Sequence, residues 1–371
     1  MTPPAINRHV RTILVTVDAV GGVWRYALDL ATGLEDEDIK IILTGFGPPP
    51  TAEQILEIPR NCRLVWLDAP LDWMANDPAQ LSAIPAMIEE IVRLHDVDLL
   101  HLNLPSQAAG LAVAKPVVVV SHSCIPTWFS AVRGTNPPPD WAWHEELGRR
   151  GFNQADLVLV PSRSHAENLR AVYGPLPSLQ VVYNASDSVS QAGDKGDVVV
   201  AAGRWWDEGK NGAVLDQAAR DTVWPILMAG STNGPNGQHV DIANAHPVGE
   251  CAHSEIMKLM RNAAIFVSPS IYEPFGLAAL EAAKSGCALV LADIPTYREL
   301  WGGAALFASP RDPSAFAAAL NRLAGDESLR ERLVTQALLR SGTFTRKAQC
   351  DAMLDHYRAA ARSPRLLTAA E

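Results

Sequence analysis

The stretch from Ala263 to Leu291 restricts the fold more than any other part of the chain. Two short apolar runs, Ala263 to Val267 and Cys287 to Leu291, read as buried strands. Between them, Ser268-Pro269-Ser270 starts a loop, and an Ala/Leu-rich helix follows, expected to open at Pro274 and Gly276. Gly286 suits the position just past the end of that helix, where the chain turns left-handed. A strand, loop, helix and strand in this order are typical of a parallel α/β sheet.

Two carboxylates bracket the helix start, Glu273 just before it and Glu281 about two turns inside. Eight residues at helical rise span roughly 12 Å. Between them, the backbone N–H groups of Phe275, Gly276 and Leu277 lack partners one turn back, and the helix dipole is positive at this end. That combination makes an anion site, and Gly276 has no side chain to obstruct close approach. A nucleotide diphosphate sugar fits the layout: diphosphate on the amides, one glutamate on sugar hydroxyls and the other on the ribose. The bland alternative is an amphipathic helix with two exposed carboxylates.

The pattern E-P-F-G-L-x-x-L-E over residues 273–281 resembles the E-x7-E signature of retaining glycosyltransferases of family 4, which have the GT-B fold. The resemblance extends along nearly the whole chain. Strand Thr12 to Val17 leads to Asp18 and to Gly21-Gly22, where the family places a glycine-rich loop facing the donor; Arg25 is a further candidate there. The full dinucleotide fingerprint G-x-G-x-x-G is absent, which argues against NAD. His122 follows the run Val117 to Val120, where family members commonly carry a histidine close to the donor sugar. His101 and Asn103 also stand at a strand end, with no role assigned. Gly203-Arg204 and Lys210 match the family's diphosphate-gripping loop, with Trp205 standing where leucine is usual, so the packing of that loop is open. Without the resemblance, Asp207 and Glu208 would be read as partners of Lys210 on a surface loop. Gly249 and Glu250 lie where the family forms its nucleobase pocket.

The resemblance implies an α/β architecture of two Rossmann-like domains around an interdomain cleft. The expected boundaries are 1–185 for an acceptor-side domain, 186–196 for a linker and 197–343 for a nucleotide-sugar-binding domain. A last helix in 344–371 is expected to cross back. It also implies transfer of a sugar from a nucleotide diphosphate donor to an acceptor hydroxyl with retained anomeric configuration. His122, Glu273, Arg204 and Lys210 take the catalytic roles. Gly21, Gly22, Arg204, Lys210, Gly249, Glu250, Phe275, Gly276, Leu277 and Glu281 bind the donor. A nucleotide-sugar epimerase, a phosphorylase and a catalytically silent sugar-nucleotide binder remain alternatives.

Composition bounds the remaining choices. With 371 residues, 48% of them hydrophobic, the chain is long enough for two or three domains with sizeable cores. A net charge of -10 argues against nucleic acid as a partner. No metal or other cofactor is expected, since Arg204, Lys210 and amides take a metal's place. The D-x-D pattern Asp36-Glu37-Asp38 reads as a solvated charge run. Five cysteines without a C-x-x-C pair read as free thiols in a reducing compartment. No run approaches a membrane span, so the expected location is cytoplasmic, with peripheral membrane contact left open. Oligomeric state, donor base and acceptor are not legible.

Overall fold

Runs of β-branched and aliphatic residues form two wholly parallel sheets. They are seen in a computed structural model that describes residues 10–187 and 194–362. The first sheet contains β1 (Thr12–Asp18), β2 (Lys40–Phe46), β3 (Cys62–Trp66), β4 (Leu99–Leu102), β5 (Val117–Val120), β6 (Leu157–Val160) and β7 (Leu179–Val181). Their order is β3-β2-β1-β4-β5-β6-β7. The second contains β8 (Gly196–Ala202), β9 (Ile226–Ala229), β10 (His246–Gly249), β11 (Ala263–Ser268), β12 (Ala288–Ala292) and β13 (Ala305–Ala308), in the order β10-β9-β8-β11-β12-β13. Both are Rossmann-like. In each, the strand order reverses once, between β1 and β4 in the first and between β8 and β11 in the second. Such switch points leave a crevice at the carboxyl ends of the strands, where ligands of open α/β sheets bind.

The chain divides into two units. One runs up to Asn184 and resumes at Arg346; the other is Ala185–Thr345. Residues 188–193 of the expected linker, and 363–371 of the expected last segment, lie outside the described residues. The last helix, Arg346–Arg362, belongs to the first unit because its Met353, Leu354 and Tyr357 share a core with Ile13 and Val15 of β1 and Leu28 and Leu30 of helix Gly22–Gly33. The opposite side of β1 points Leu14 into a second core with Ile42, Leu100 and Val119. Both faces of the sheet are thus covered, which is why these strands read as continuous apolar runs. Each fully buried aliphatic side chain contributes about 1.5–3 kcal/mol.

The residue pattern alone also suggests helices at Gln80 to Leu94 and Ser106 to Ala114, and the structure departs from both. Ser106 to Ala114, read as a helix, is a short 3-10 turn, Pro105–Ala108. Gly110, at φ +87°, takes the chain out of helical space. The helix expected at 80–94 is split into a 3-10 turn, Pro78–Leu81, and a helix, Ile84–Leu94, in whose first turn Pro85 needs no hydrogen-bond partner. Asp36 and Glu37 lie in an exposed turn, and among the described residues no three His, Cys, Asp or Glu side chains group as metal ligands. No helix among the described residues is long and apolar enough to cross a membrane.

Burial in the first unit fixes the charge of four histidines. His101, His144 and His165 are pushed down to about 4 and His122 to about 3, in each case chiefly by desolvation. A folded-state pKa below the unfolded value near 6.5 means the unfolded chain binds protons first as pH falls. Stability is therefore full above about pH 6.5 and is expected to fall between pH 6.5 and pH 5, before most carboxylates titrate. Urea denaturation followed across that window checks this; flat or rising stability on acidification would contradict it.

Candidate donor site at the switch point of the second sheet

The loop after β8 begins at Gly203, whose N–H donates to the carbonyl of Ala229 at 3.1 Å. It approaches Gly230 so closely that a Cβ on Gly230, at φ +118°, would lie 2.0 Å from the Gly203 carbonyl oxygen. Only glycine fits there. Trp205 is 3% exposed and packs on Gly212. Its indole N–H donates to the Ala229 carbonyl at 3.0 Å and its backbone N–H to Ser231 at 2.9 Å. The indole bond pins the loop to β9.

Arg204 projects from this pinned loop. Its guanidinium lies 5.3 Å from the Trp206 ring centroid and 3.7 Å from Asp207 Oδ2, with its side chain 38% exposed. Asp207 caps the following 3-10 turn, Glu208–Lys210, by accepting the Gly209 N–H at 2.9 Å. Asn211, left-handed at φ 60°, donates to the carbonyls of Pro269 at 3.0 Å and Pro310 at 2.6 Å, and Ile271 N–H donates to Gly209 O at 2.9 Å. These bonds tie the Arg204–Lys210 loop to the loop after β11. Lys210 Nζ consequently reaches Glu273 Oε2 at 2.5 Å. Lys210 is thus engaged by Glu273 and not by Asp207 and Glu208, the local partners that a plain surface loop would have given it. Both side chains are mostly buried, so the attraction is less screened than at a surface.

The helix after this loop starts at Leu277 and runs to Lys284, so Pro274 lies outside it and Gly276 is its N-cap. Gly276 has φ 90° and ψ 64°, a conformation that L side chains rarely adopt. Among the described residues, the N–H groups of Phe275, Gly276, Leu277 and Ala278 have no acceptor; the first to bond back is Ala279, to Gly276 O at 3.1 Å. Phe275 is buried at 3%. The loop is held beneath by Ser268 Oγ and Tyr297 OH, 2.6 Å apart. A Cβ on Gly276 would lie 2.9 Å from Tyr297 Cε1 and 3.2 Å from Glu273 Cγ. Gly276→Ala is therefore expected to cost about 1–3 kcal/mol of stability, read as a lowered urea midpoint; an unchanged midpoint would show that the loop relaxes without strain.

Glu281 is 5% exposed on the same helix. One oxygen, Oε1, is 2.8 Å from His253 Nε2, and no other partner meets the carboxylate among the described residues. His253 was not singled out in the sequence. It opens helix His253–Asn262 just after Gly249 and Glu250, which are exposed at the end of edge strand β10. Its one sequence signal is the position next to the expected nucleobase segment.

The other candidates stand on the first sheet. Gly21 is the N-cap of helix Gly22–Gly33 in ordinary extended backbone, φ -147°, so neither glycine is required by its conformation. Arg25 is engaged by Asp29 at 2.7 Å and by Glu57 at 3.7 Å. His122, half-buried past β5, meets Asn103 Oδ1 at 2.9 Å and the edge of Tyr26 at 4.3 Å between ring centroids. His101 is fully buried, with Nδ1 2.6 Å from Tyr357 OH, and belongs to the core.

Comparison with known proteins follows the same division. The model for Glycosyltransferase Family 4 matches residues 20–188, and that for Glycosyl transferases group 1 matches residues 238–340. The chain belongs to glycosyltransferase family 4. This family 4 chain is 36% identical over 232 residues to the glycogen synthase of Mycobacterium tuberculosis, a match covering 57% of the chain and 56% of the relative. It thus spans just over half the length of that curated relative. Among solved structures, sucrose-phosphate synthase from Thermosynechococcus elongatus superposes with a TM-score of 0.80 at 17% identity, covering 94% of the chain and 98% of that structure. Anabaena HepE in complex with UDP and glucose gives a TM-score of 0.74 at 17% identity, covering 95% of the chain and all (100%) of that structure. These likenesses establish the GT-B fold for the family 4 chain.

Proposed function

We propose that the protein transfers a sugar from a nucleotide diphosphate donor to an acceptor hydroxyl with retention of anomeric configuration. One observation carries this reading. Arg204, the Lys210–Glu273 pair and four unbonded N–H groups gather past the carboxyl ends of β8 and β11, at the switch point of one sheet. Fixed donors with two cations suit a diphosphate, and arginine can grip it bidentately. HepE, whose structure holds UDP and glucose, lends the same fold as support.

Chemically, the bond between the anomeric carbon and the diphosphate oxygen breaks as the acceptor oxygen attacks the same face. The departing phosphate oxygen takes the acceptor's proton, so no protein nucleophile is needed. Negative charge grows on the diphosphate, and Arg204, Lys210 and the amides stabilise it. Lys210 is held by Glu273 until a phosphate arrives to share it. Glu281 Oε2 serves the ribose hydroxyls, and Glu273 and His122 contact sugar hydroxyls. Gly249 and Glu250 border the base, and Gly21 and Gly22 leave room for substrate on the first unit. Arg204 and Lys210 make a divalent ion unnecessary.

The deciding experiment incubates the protein with nucleotide sugars and glycan acceptors and reads the anomeric configuration of the product by NMR, with and without EDTA. A product of retained configuration, formed equally with EDTA, is expected. An inverted product would remove the front-face mechanism. Loss of activity with EDTA, restored by magnesium or manganese, would remove metal independence. Turnover without acceptor would favour an epimerase, and phosphate-dependent cleavage a phosphorylase.

A further inference from the structure

We propose that Asn103 is a positioning residue that holds His122 as the neutral tautomer protonated on Nε2, leaving Nδ1 as a lone-pair acceptor for substrate. Asn103 follows β4 at the switch point of the first sheet and is 2% exposed. One end of its amide lies 2.5 Å from the carbonyl oxygen of Thr16 on β1. A backbone carbonyl only accepts, so the atom facing it is Nδ2; the flipped amide would press two acceptors together. The backbone N–H of Asn103 donates to Thr16 Oγ1 at 2.7 Å, and that hydroxyl donates onward to Gln107 Oε1 at 2.7 Å. The amide therefore has one orientation.

With Nδ2 fixed on Thr16, Oδ1 faces both histidines: His122 Nε2 at 2.9 Å and His101 Nε2 at 3.1 Å. A carbonyl oxygen has two lone pairs and no proton, so both nitrogens must donate. His101 Nδ1 is then an acceptor, matched by Tyr357 OH at 2.6 Å, and Tyr26 OH lies 3.3 Å from His101 Nε2. On His122 the remaining nitrogen, Nδ1, makes no hydrogen bond among the described residues. Among the described residues, the titratable groups around His122 are His101 on β4, His165 on helix Arg163–Tyr173, and Tyr26 on helix Gly22–Gly33. None supplies a negative charge at neutral pH, and burial disfavours the imidazolium further. His122 thus offers substrate an acceptor and cannot serve as an acid or a cation.

The functional weight of this arrangement rests on His122 touching substrate, but the tautomer can be read without substrate. The whole protein, labelled with 15N-histidine, is examined at pH 7 by long-range 1H–15N correlation, and the signals absent from His122→Gln identify His122. The expected wild-type spectrum is that of the Nε2–H tautomer. Asn103→Ala should give a tautomer mixture at His122. It should also lower transfer about tenfold while nucleoside diphosphate affinity stays within about twofold. A wild-type spectrum of the Nδ1–H form or the cation overturns the proposal, and needs no variant to fold. An unchanged His122 spectrum in Asn103→Ala overturns it as well. Wild-type transfer by His122→Gln would instead strike the substrate contact of His122, with the tautomer assignment standing.

Discussion

Glu273→Gln is expected to lower sugar transfer about 100-fold, the scale set by mispositioning a reacting group, while nucleoside diphosphate affinity changes by less than about threefold. Glu273 sits at the hinge of the site. It holds Lys210 at 2.5 Å and its Cγ lies against the space that Gly276 leaves open. The isosteric amide removes the charge that places Lys210 but leaves Arg204 and the unbonded amides intact. A diphosphate should therefore still bind, and the sugar should lose an acceptor for its hydroxyls. Calorimetry beside a transfer assay separates the two effects. Wild-type transfer by this variant would move the reaction centre elsewhere, and an affinity loss as large as the rate loss would make Glu273 a mere anchor for the diphosphate.

Glu281→Ala is expected to weaken nucleoside diphosphate binding by about 10- to 100-fold. A carboxylate that accepts ribose hydroxyls makes charge-assisted bonds of about 1.5–3 kcal/mol each, and 1.4 kcal/mol is a factor of ten. One carboxylate oxygen already meets His253 at 2.8 Å, which leaves the other for the proposed ribose contact. Glu281→Gln should fall between, because its carbonyl can still accept. A nucleoside diphosphate bound by Glu281→Ala as tightly as by the wild type would remove this residue from the site.

Much of the frame was legible because its signals are local. Strands buried on both faces read as apolar runs, and the family's charged positions fall on loops of fixed spacing. Trp205 left the packing of its loop open, since its indole hydrogen bond to Ala229 is a tertiary event 24 residues away. The same holds for Lys210 and Glu273, 63 residues apart, a pairing that no local pattern indicates. His253 carried no motif, and only the folded chain brings it to Glu281. Asn103 looked like one of several polar residues at a strand end. Its importance comes from Thr16, 87 residues away, which fixes the direction of its amide. The stretch 106–114 stops short as a 3-10 turn because the left-handed backbone of Gly110 outweighs the helical propensity of its alanine neighbours.

In the proposed function, Arg204, Lys210 and the N-terminus of the helix Leu277–Lys284 bind the diphosphate of a sugar donor. Calorimetric titration of a panel of nucleoside diphosphates into the wild-type protein and into the double variant Arg204→Ala/Lys210→Ala tests this. At least one diphosphate should bind the wild type with one site per chain. The double variant should bind it at least about tenfold more weakly, with turnover reduced by more than affinity. No binding by any nucleoside diphosphate, or equal binding by wild type and variant, would remove the diphosphate from this site.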